Sequence, residues 1–355
     1  MRVSKIKYFY LKRRLGFFIL FIFFHGVMIG NPDSDPEYPK RKFILFEGEP
    51  YHGLYSNMTR LAEWIYIVKN DKNLGMIIDL KNFFGLEQNF IDLFFSPVND
   101  PQIKFSRGRN PIFLKIRAFP GYPIFWNQGL FSIEKRKWVK KYPTDGLSSF
   151  EKTKWVLNQA DSYLNPQIHT YRQRLNPLIN QYLKPNPDLK RKIDSIVQSL
   201  KDPILGTTNQ SHVIGIHLRM PDHFYKESGE LKFDENIYLD QVEKSIDDLI
   251  KDRDRNSIKL FVCTINQPIL DRLSLKYHVV ASDIPRSSQM NGDWSELLSG
   301  SDHYLNAEGA LVDAYVLSQC DQFFCGPSNL AMFVACLNSD LDTVLLPCFK
   351  GWKSR

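Results

Sequence analysis

A regular alternation of strand and helix patterns between Val213 and Leu346 limits this chain to few fold classes. Short apolar runs typical of buried strands alternate there with longer segments whose apolar residues recur at helical spacing. The predicted strands cover 213–218, 259–264, 277–281, 322–325 and 343–346, and the predicted helices cover 235–251, 308–319, 328–337 and a segment after Pro268. This alternation predicts an α/β fold with a parallel, doubly wound sheet.

The first of these strands ends in polar side chains. His217 and Arg219 are two residues apart and therefore share one face of the strand, which Pro221 ends because proline cannot donate to a sheet ladder. In open α/β sheets, ligands bind just beyond the carboxyl ends of the strands. The guanidinium of Arg219 is a permanently charged, planar set of donors that suits phosphate oxygens, although a surface ion pair would explain it equally well.

The N-terminal part of the chain shows a looser version of the same pattern. A strand at 43–46, a loop at 47–57 that contains two glycines, a helix from Met58 and a strand at 76–80 form a βαβ unit. Such a loop lets backbone N–H groups approach an anion, or it is an ordinary turn. The aromatic residues that are dense in 81–150 suit a sugar-binding wall and ordinary core packing about equally.

Length and a second helical region suggest where the chain divides. A chain of 355 residues is too long for one ordinary hydrophobic core, so we expect two lobes. Helices at 159–200, interrupted at Pro166, Pro177 and 185–187, close the first lobe. We place the N-terminal lobe at 43–208 and the C-terminal lobe at 209–355.

The first 42 residues read as a membrane anchor. A tail at 1–14 carries six basic residues and no acidic one, an apolar run rich in phenylalanine follows at 15–30, and 31–42 resembles a stalk. Because the end of the apolar run fits a cleavage site poorly, we expect a signal-anchor that is not cleaved, with the body exported. Without the tail, 40 basic residues face 39 acidic ones, so the net charge of +7 does not indicate a nucleic-acid partner.

Cysteine and acidic patterns give no indication of a metal site. The chain has five cysteines with no CxxC spacing, namely Cys263, Cys320, Cys325, Cys336 and Cys348. We expect buried free thiols or one or two disulfides. Metal-dependent sugar transferases commonly place Asp-x-Asp after an apolar strand, and the Asp-x-Asp triplets at 33–35 and 252–254 do not follow one. Sequons occur at Asn57 and Asn209.

Two further stretches contain candidate binding residues. Asp313 lies inside an otherwise apolar predicted helix, where a carboxylate needs a partner. Backbone N–H groups of the other lobe would satisfy it, and so would the two adjacent N–H donors on the Watson–Crick edge of guanine. The turn Gly326-Pro327-Ser328-Asn329 joins a strand to a helix, and the free N–H groups of that helix together with Ser328 could hold a phosphate. An ordinary capped helix explains the same turn.

Together these stretches resemble a known family. The motif His217-Leu218-Arg219-x-x-Asp222, the helix that contains Asp313 and the turn at 326–329, in this order and spacing, resemble the catalytic domain of α1,6-fucosyltransferases. Protein O-fucosyltransferases are more distant relatives of that group. The resemblance covers about 213–338 well and 53–80 more loosely. It implies a GT-B-like fold of two Rossmann-type lobes facing a cleft, with the acceptor on the N-terminal lobe and the nucleotide sugar on the C-terminal lobe.

The resemblance also implies a reaction and roles for individual residues. The donor would be GDP-fucose and the acceptor a glycan or glycoprotein, with inversion at the anomeric carbon and neither a metal nor another cofactor. Arg219 would hold the β-phosphate, and Glu227 would be the catalytic base, with Glu47 and Glu49 as alternatives. Asp313 would read guanine, and Ser328 would bind a phosphate oxygen. The other expected donor-binding residues are His217, Asp222, Gly326 and Asn329 in the second lobe and Gly53, Tyr55 and Asn57 in the first.

Two departures from the family pattern leave alternatives open. Met220 stands where the α1,6 group has a second arginine, and Ile265-Asn266 stands where it has paired aspartates. A related transferase with another nucleotide sugar, a protein O-fucosyltransferase and a catalytically silent glycan-binding homologue therefore stay possible. In a eukaryote we expect a single-pass type II protein of the Golgi or secretory pathway, and elsewhere a membrane-anchored or exported one.

Overall fold

A computed structural model of the chain describes residues 42–47, 54–72, 74–81, 83–105, 166–204, 211–218, 235–288, 302–326 and 328–346. Within these ranges the chain forms eight strands in two sheets and eight α-helices. The strands are β1 (Lys42–Glu47), β2 (Leu74–Asp79), β3 (Ile103–Phe105), β4 (His212–His217), β5 (Ile258–Cys263), β6 (Val279–Val280), β7 (Gln322–Cys325) and β8 (Asp342–Leu345). The helices are α1 (Leu54–Lys69), α2 (Phe90–Phe94), α3 (Pro166–Tyr182), α4 (Pro187–Lys201), α5 (Glu235–Ile250), α6 (Gln267–Ser274), α7 (His303–Leu317) and α8 (Asn329–Leu337).

The C-terminal sheet has five strands in the order β6-β5-β4-β7-β8, and all neighbours are parallel. The chain first fills one side of β4 with β5 and β6, then returns to place β7 and β8 on the other side. The strand order therefore reverses between β4 and β7, which is the position where open α/β sheets bind ligands. The parallel sheet and its alternating helices are as the sequence predicted.

Each face of this sheet is covered by its own pair of helices. Ile214 and Ile216 of β4 share a buried cluster with α5 and α6, whereas Val213 belongs to the cluster of α7 and α8. Gly215 also faces α7, because a Cβ at this position would lie 2.9 Å from Leu317 Cδ2 and 2.9 Å from Cys320 Sγ. A glycine in the central strand thus allows the C-terminal end of α7 to pack directly on the sheet.

The N-terminal sheet has the order β1-β2-β3, and β2 and β3 are parallel with Met76 opposite Ile103. Its helix α1 buries Met58 and Ile65, which share one continuous hydrophobic cluster with Leu311 of α7 and other residues of α7 and α8. The described parts of the two predicted lobes thus have a common core. The boundary at 208 and the cleft between the lobes stay predictions.

Three helices begin or continue at residues other than those predicted. Helix α1 begins at Leu54 rather than Met58, because Leu54 continues the buried stripe and is only 3% exposed. Helix α7 begins at His303, five residues before the predicted start, where Asp302 caps it by accepting hydrogen bonds from two backbone N–H groups. Pro177 lies inside α3, and burial of Leu175 and Ile179 on either side offsets its missing hydrogen bond.

The predicted tail, anchor and nearly all of the stalk lie outside the described residues. Among the residues that the structure describes, no helix is long and apolar enough to cross a membrane. The N-terminal anchor therefore stays a prediction. Of the five cysteines, the four that lie in described ranges are buried, and Cys263, Cys320 and Cys325 are free thiols.

Candidate functional site

The carboxyl ends of β4 and β7 carry the first pair of site residues. His217, the last residue of β4, is paired in register with Cys325 at the end of β7 and with Cys263 at the end of β5. Its ring is almost buried, and Nδ1 lies 3.2 Å from the hydroxyl oxygen of Ser328. The structure thus brings together two residues that are 111 positions apart in the sequence and were both predicted to bind the donor.

Ser328 also begins helix α8. Its hydroxyl oxygen accepts a hydrogen bond from the Ala331 backbone N–H at 3.0 Å, which is the usual N-cap geometry. Gly326 and Asn329 belong to the same connection between β7 and α8. Because the first N–H groups of a helix have no acceptor within the helix itself, a helix N-terminus such as this one offers donors and a positive dipole to an anion beside His217.

Asp313 lies on α7 in a separate buried cluster. Its carboxylate is 2% exposed and accepts hydrogen bonds from the Ser282 hydroxyl and the Cys263 thiol. Burial raises the pKa of Asp313 to about 6, although these two hydrogen bonds and the nearby charge of Arg286 oppose the rise. A carboxylate can accept more than two hydrogen bonds, so Asp313 retains acceptor capacity for a further N–H group.

The loop that follows β6 supplies the partners of Asp313. Gly309 lies one helical turn before Asp313, and a Cβ at this position would be 1.9 Å from Ile284 Cγ2. The absence of a side chain at Gly309 therefore lets the loop come close enough for Ser282 to reach the carboxylate. Arg286 of the same loop donates to the backbone oxygens of Ser282 and Ile284, while its buried Nε has no hydrogen-bond partner within the described ranges.

Of the predicted first-lobe residues, Tyr55 reaches this region. Tyr55 of α1 donates to the Ala310 backbone oxygen of α7, and its ring centroid is 5.7 Å from that of Phe333 on α8. Burial, with the nearby Cys263 and Asp313, raises the pKa of Tyr55 well above its usual value. Asn57 is 1% exposed on the buried side of α1. Gly53 lies outside the described residues.

Arg219, Asp222 and Glu227 lie outside the described residues. Of the two alternative bases, Glu49 also lies outside them, and only the backbone of Glu47 is described, at the end of β1. The chain is described up to Leu218, whose N–H still donates to the Cys263 backbone oxygen at 3.0 Å. In the described part of the chain, no group of three or more histidine, cysteine, aspartate or glutamate residues could hold a metal ion.

Sequence reasoning missed the residues that surround Asp313. Ser282 and Arg286 follow the short strand β6, and Cys263 was considered only as a buried thiol or as part of a disulfide. Polar residues just after a parallel strand were a usable signal, because the same reasoning found His217 at the end of β4. The contacts of Ser282 and Cys263 with Asp313 depend on the strand order, which the sequence pattern did not give.

Comparisons with known proteins show which proteins this chain resembles. No protein-family model matches the chain. Nodulation protein Z of Bradyrhizobium diazoefficiens is 26% identical over 282 residues, which span 73% of this chain and 69% of the relative. Crystal structures of the α-1,6-fucosyltransferase NodZ superpose with TM-scores of 0.52 when co-crystallised with GDP and 0.50 when soaked with GDP-fucose, at 17% and 18% identity. Both cover 84% of this chain and 93% of the solved one.

The chain is similar to α1,6-fucosyltransferases in sequence and in fold. The predicted resemblance to α1,6-fucosyltransferases is confirmed, and the same relatives support the prediction of a fucosyltransferase. The structural likeness shows that this fucosyltransferase-like chain has an α/β fold with parallel sheets like that of NodZ, as the GT-B prediction required. The relative is bacterial, so the comparisons give no support to a Golgi location, and a membrane-anchored or exported protein stays a prediction.

Proposed function

We propose that this protein transfers fucose from GDP-fucose to a hydroxyl group of a glycan or glycoprotein, with inversion at the anomeric carbon and without a metal ion. The observation that carries the proposal is the contact between His217 and Ser328 where the strand order reverses. It supports a diphosphate site at the start of α8, since the helix N-terminus and the Ser328 hydroxyl both face the end of β4.

The guanine base would bind at Asp313. Guanine presents N1–H and N2–H side by side, and an ionised carboxylate accepts both. Ser282 and Cys263 use part of the acceptor capacity of Asp313 and hold its side chain in one orientation. Tyr55, hydrogen-bonded to the Ala310 backbone one turn away, would complete this end of the site from the first lobe.

The transfer step would use residues that follow β4. The acceptor oxygen forms a bond to the anomeric carbon of fucose while its proton passes to Glu227, and the bond from that carbon to the β-phosphate oxygen breaks. The electron pair leaves with GDP, whose added charge Arg219 and the N-terminal N–H groups of α8 would stabilise. Asp222, Gly326 and Asn329 would line the same pocket.

Three measurements on the purified protein test this function. GDP-fucose should raise the melting temperature, because a ligand that binds only the native state stabilises it. GDP should be released from GDP-fucose faster when glycan acceptors are present, and EDTA should leave that rate unchanged. The anomeric configuration of the product, read by NMR, tests inversion.

The outcomes also separate the alternatives. Protection by a different nucleotide sugar, with none by GDP-fucose, would contradict the assignment of the donor. Binding of GDP-fucose without any GDP release in the presence of acceptors would favour a silent glycan-binding homologue. Loss of activity in EDTA that manganese restores would contradict the metal-free reaction.

A further inference from the structure

Helix α3 binds the C-terminal end of helix α8 through one buried arginine. Arg172 is 3% exposed, and its Nε donates to the Ala335 backbone oxygen at 2.9 Å. One terminal nitrogen, Nη2, donates to the backbone oxygens of Asn338 at 3.0 Å and Leu341 at 2.9 Å. A single side chain of α3 thus binds three carbonyl groups at and just beyond the end of α8.

Two asparagines on the same stripe of α3 extend this contact. Asn176 Nδ2 donates to the Cys336 and Leu337 backbone oxygens at 3.1 and 2.6 Å, and Asn180 Nδ2 donates to Leu337 at 3.2 Å. Arg172, Asn176 and Asn180 are spaced by four residues, so they lie on one face of α3. With these bonds, and with the Asn338 N–H that donates to Val334, each of the last four carbonyl groups of α8 has a partner.

The opposite end of the same helix is the proposed phosphate site. Helix α8 has nine residues, so its axis is about 13 Å long, and a helix this short and buried behaves as a stiff rod. Its N-terminal end carries Ser328, in contact with His217. Displacement of the C-terminal end would therefore move Ser328 and the N-terminal N–H groups of α8 relative to β4, and a shift of about 1 Å would lengthen a hydrogen bond to a phosphate oxygen beyond its usual range.

We propose that Arg172 is a positioning residue for the diphosphate pocket, which sets the axial position of α8 so that Ser328 stays in contact with the end of β4. The proposal rests on the proposed function, because it gives Arg172 a role in binding the GDP part of the donor. The guanidinium suits this role since its planar fork fixes the direction of several hydrogen bonds at once, whereas a lysine ammonium is a point charge. Its positive charge at the C-terminal end also matches the helix dipole.

The test compares GDP affinity and steady-state kinetics in Arg172→Lys, Asn176→Ala and the wild type, at a temperature well below the melting point of each. We expect Arg172→Lys to weaken GDP binding about tenfold, which corresponds to about 1.4 kcal/mol, and to raise KM for GDP-fucose while kcat changes little. Asn176→Ala keeps the guanidinium and removes two hydrogen bonds, so it should give a smaller loss in the same direction. Arg191→Lys is the matched control, because Arg191 is 80% exposed on the neighbouring helix α4.

A double-mutant cycle distinguishes positioning from plain stabilisation. If Arg172 acts through Ser328, then GDP binding in the double variant Arg172→Lys/Ser328→Ala should be no more than about twofold weaker than in Ser328→Ala alone. Additive losses, or a lower melting temperature with unchanged GDP affinity, would overturn the inference. Should Arg172→Lys fail to fold, the same cycle with Asn176→Ala decides the question. A wild type that binds no GDP would instead overturn the proposed function, and this inference with it.

Discussion

Replacing Asp313 by asparagine should make the protein more stable at neutral pH and at the same time remove GDP binding. The carboxylate is buried, and its pKa of about 6 in the folded protein exceeds the ordinary value of 3.8 by about two units. At about 1.4 kcal/mol per unit, keeping this group ionised costs the folded state about 3 kcal/mol at pH 7. Asparagine has nearly the same shape and can still accept from Ser282, and it carries no charge to desolvate.

The size of this gain in stability depends on pH in a defined way. The folded state holds the proton of Asp313 more tightly than the unfolded state does. The protonated group therefore adds fully to the free energy of unfolding of the wild type below about pH 4, and this stabilisation is lost as the pH rises through about 6. The asparagine variant lacks this dependence. The unfolding free energy of the variant minus that of the wild type should therefore be near zero at pH 4 and rise to about 3 kcal/mol at pH 7.5.

Urea unfolding at a series of pH values measures that difference, and calorimetry measures GDP binding. Two hydrogen bonds from guanine to a charged acceptor are worth about 1.5–3 kcal/mol each, so the variant should bind GDP at least about 100-fold more weakly. In the wild type, GDP affinity should fall below about pH 6 as Asp313 takes up its proton. A stability difference that does not change with pH would refute the reasoning about burial, and a variant that keeps its GDP affinity would refute the role in reading the base.

Three further substitutions test other parts of the site. Gly309→Ala should destabilise the protein by about 1–2 kcal/mol, because the overlap of the new methyl group with Ile284 costs more free energy than the better helix propensity of alanine returns. In an Ile284→Ala background, Gly309→Ala should have almost no further effect on thermal unfolding. Arg219→Ala should abolish release of GDP from GDP-fucose with little change in melting temperature, and a near-normal rate would contradict a role in phosphate binding. Glu227→Gln should lower kcat by at least about 100-fold with little change in GDP affinity, and a harmless substitution would place the base elsewhere, with Glu47 and Glu49 next to test.

The sequence predicted most of the C-terminal sheet because its strands and helices have distinct apolar periods. It located the start of α7 less well, since Tyr304 and Leu305 are 36% and 47% exposed and give no periodic signal before the apolar run. The break expected at Pro177 was wrong for a related reason. Helix α3 continues through this proline because it packs on α8, and a contact between distant segments leaves no trace in the local pattern.

The candidate site was predictable where it depends on strand ends and unpredictable where it depends on strand order. His217 and Ser328 each stand at the carboxyl end of a predicted strand, so each was found without knowledge of the other. Asp313 was recognised as a carboxylate that needs partners, whereas its partner Ser282 lies 31 residues earlier on a loop. Assigning that partner requires knowing that β5 and β6 are neighbours in the sheet.

The burial of Asn57 bears on how the protein can be produced. Attachment of an oligosaccharide in a eukaryotic secretory pathway needs an accessible asparagine, and both Asn57 and Thr59 of this sequon are buried in α1. A chain with sugar on Asn57 is therefore one that was modified before α1 packed and that cannot complete its core. Thr59→Val would abolish the sequon in yeast or insect-cell expression. It would also replace a buried hydroxyl, which has no hydrogen-bond partner among the described residues, by a methyl group of similar size.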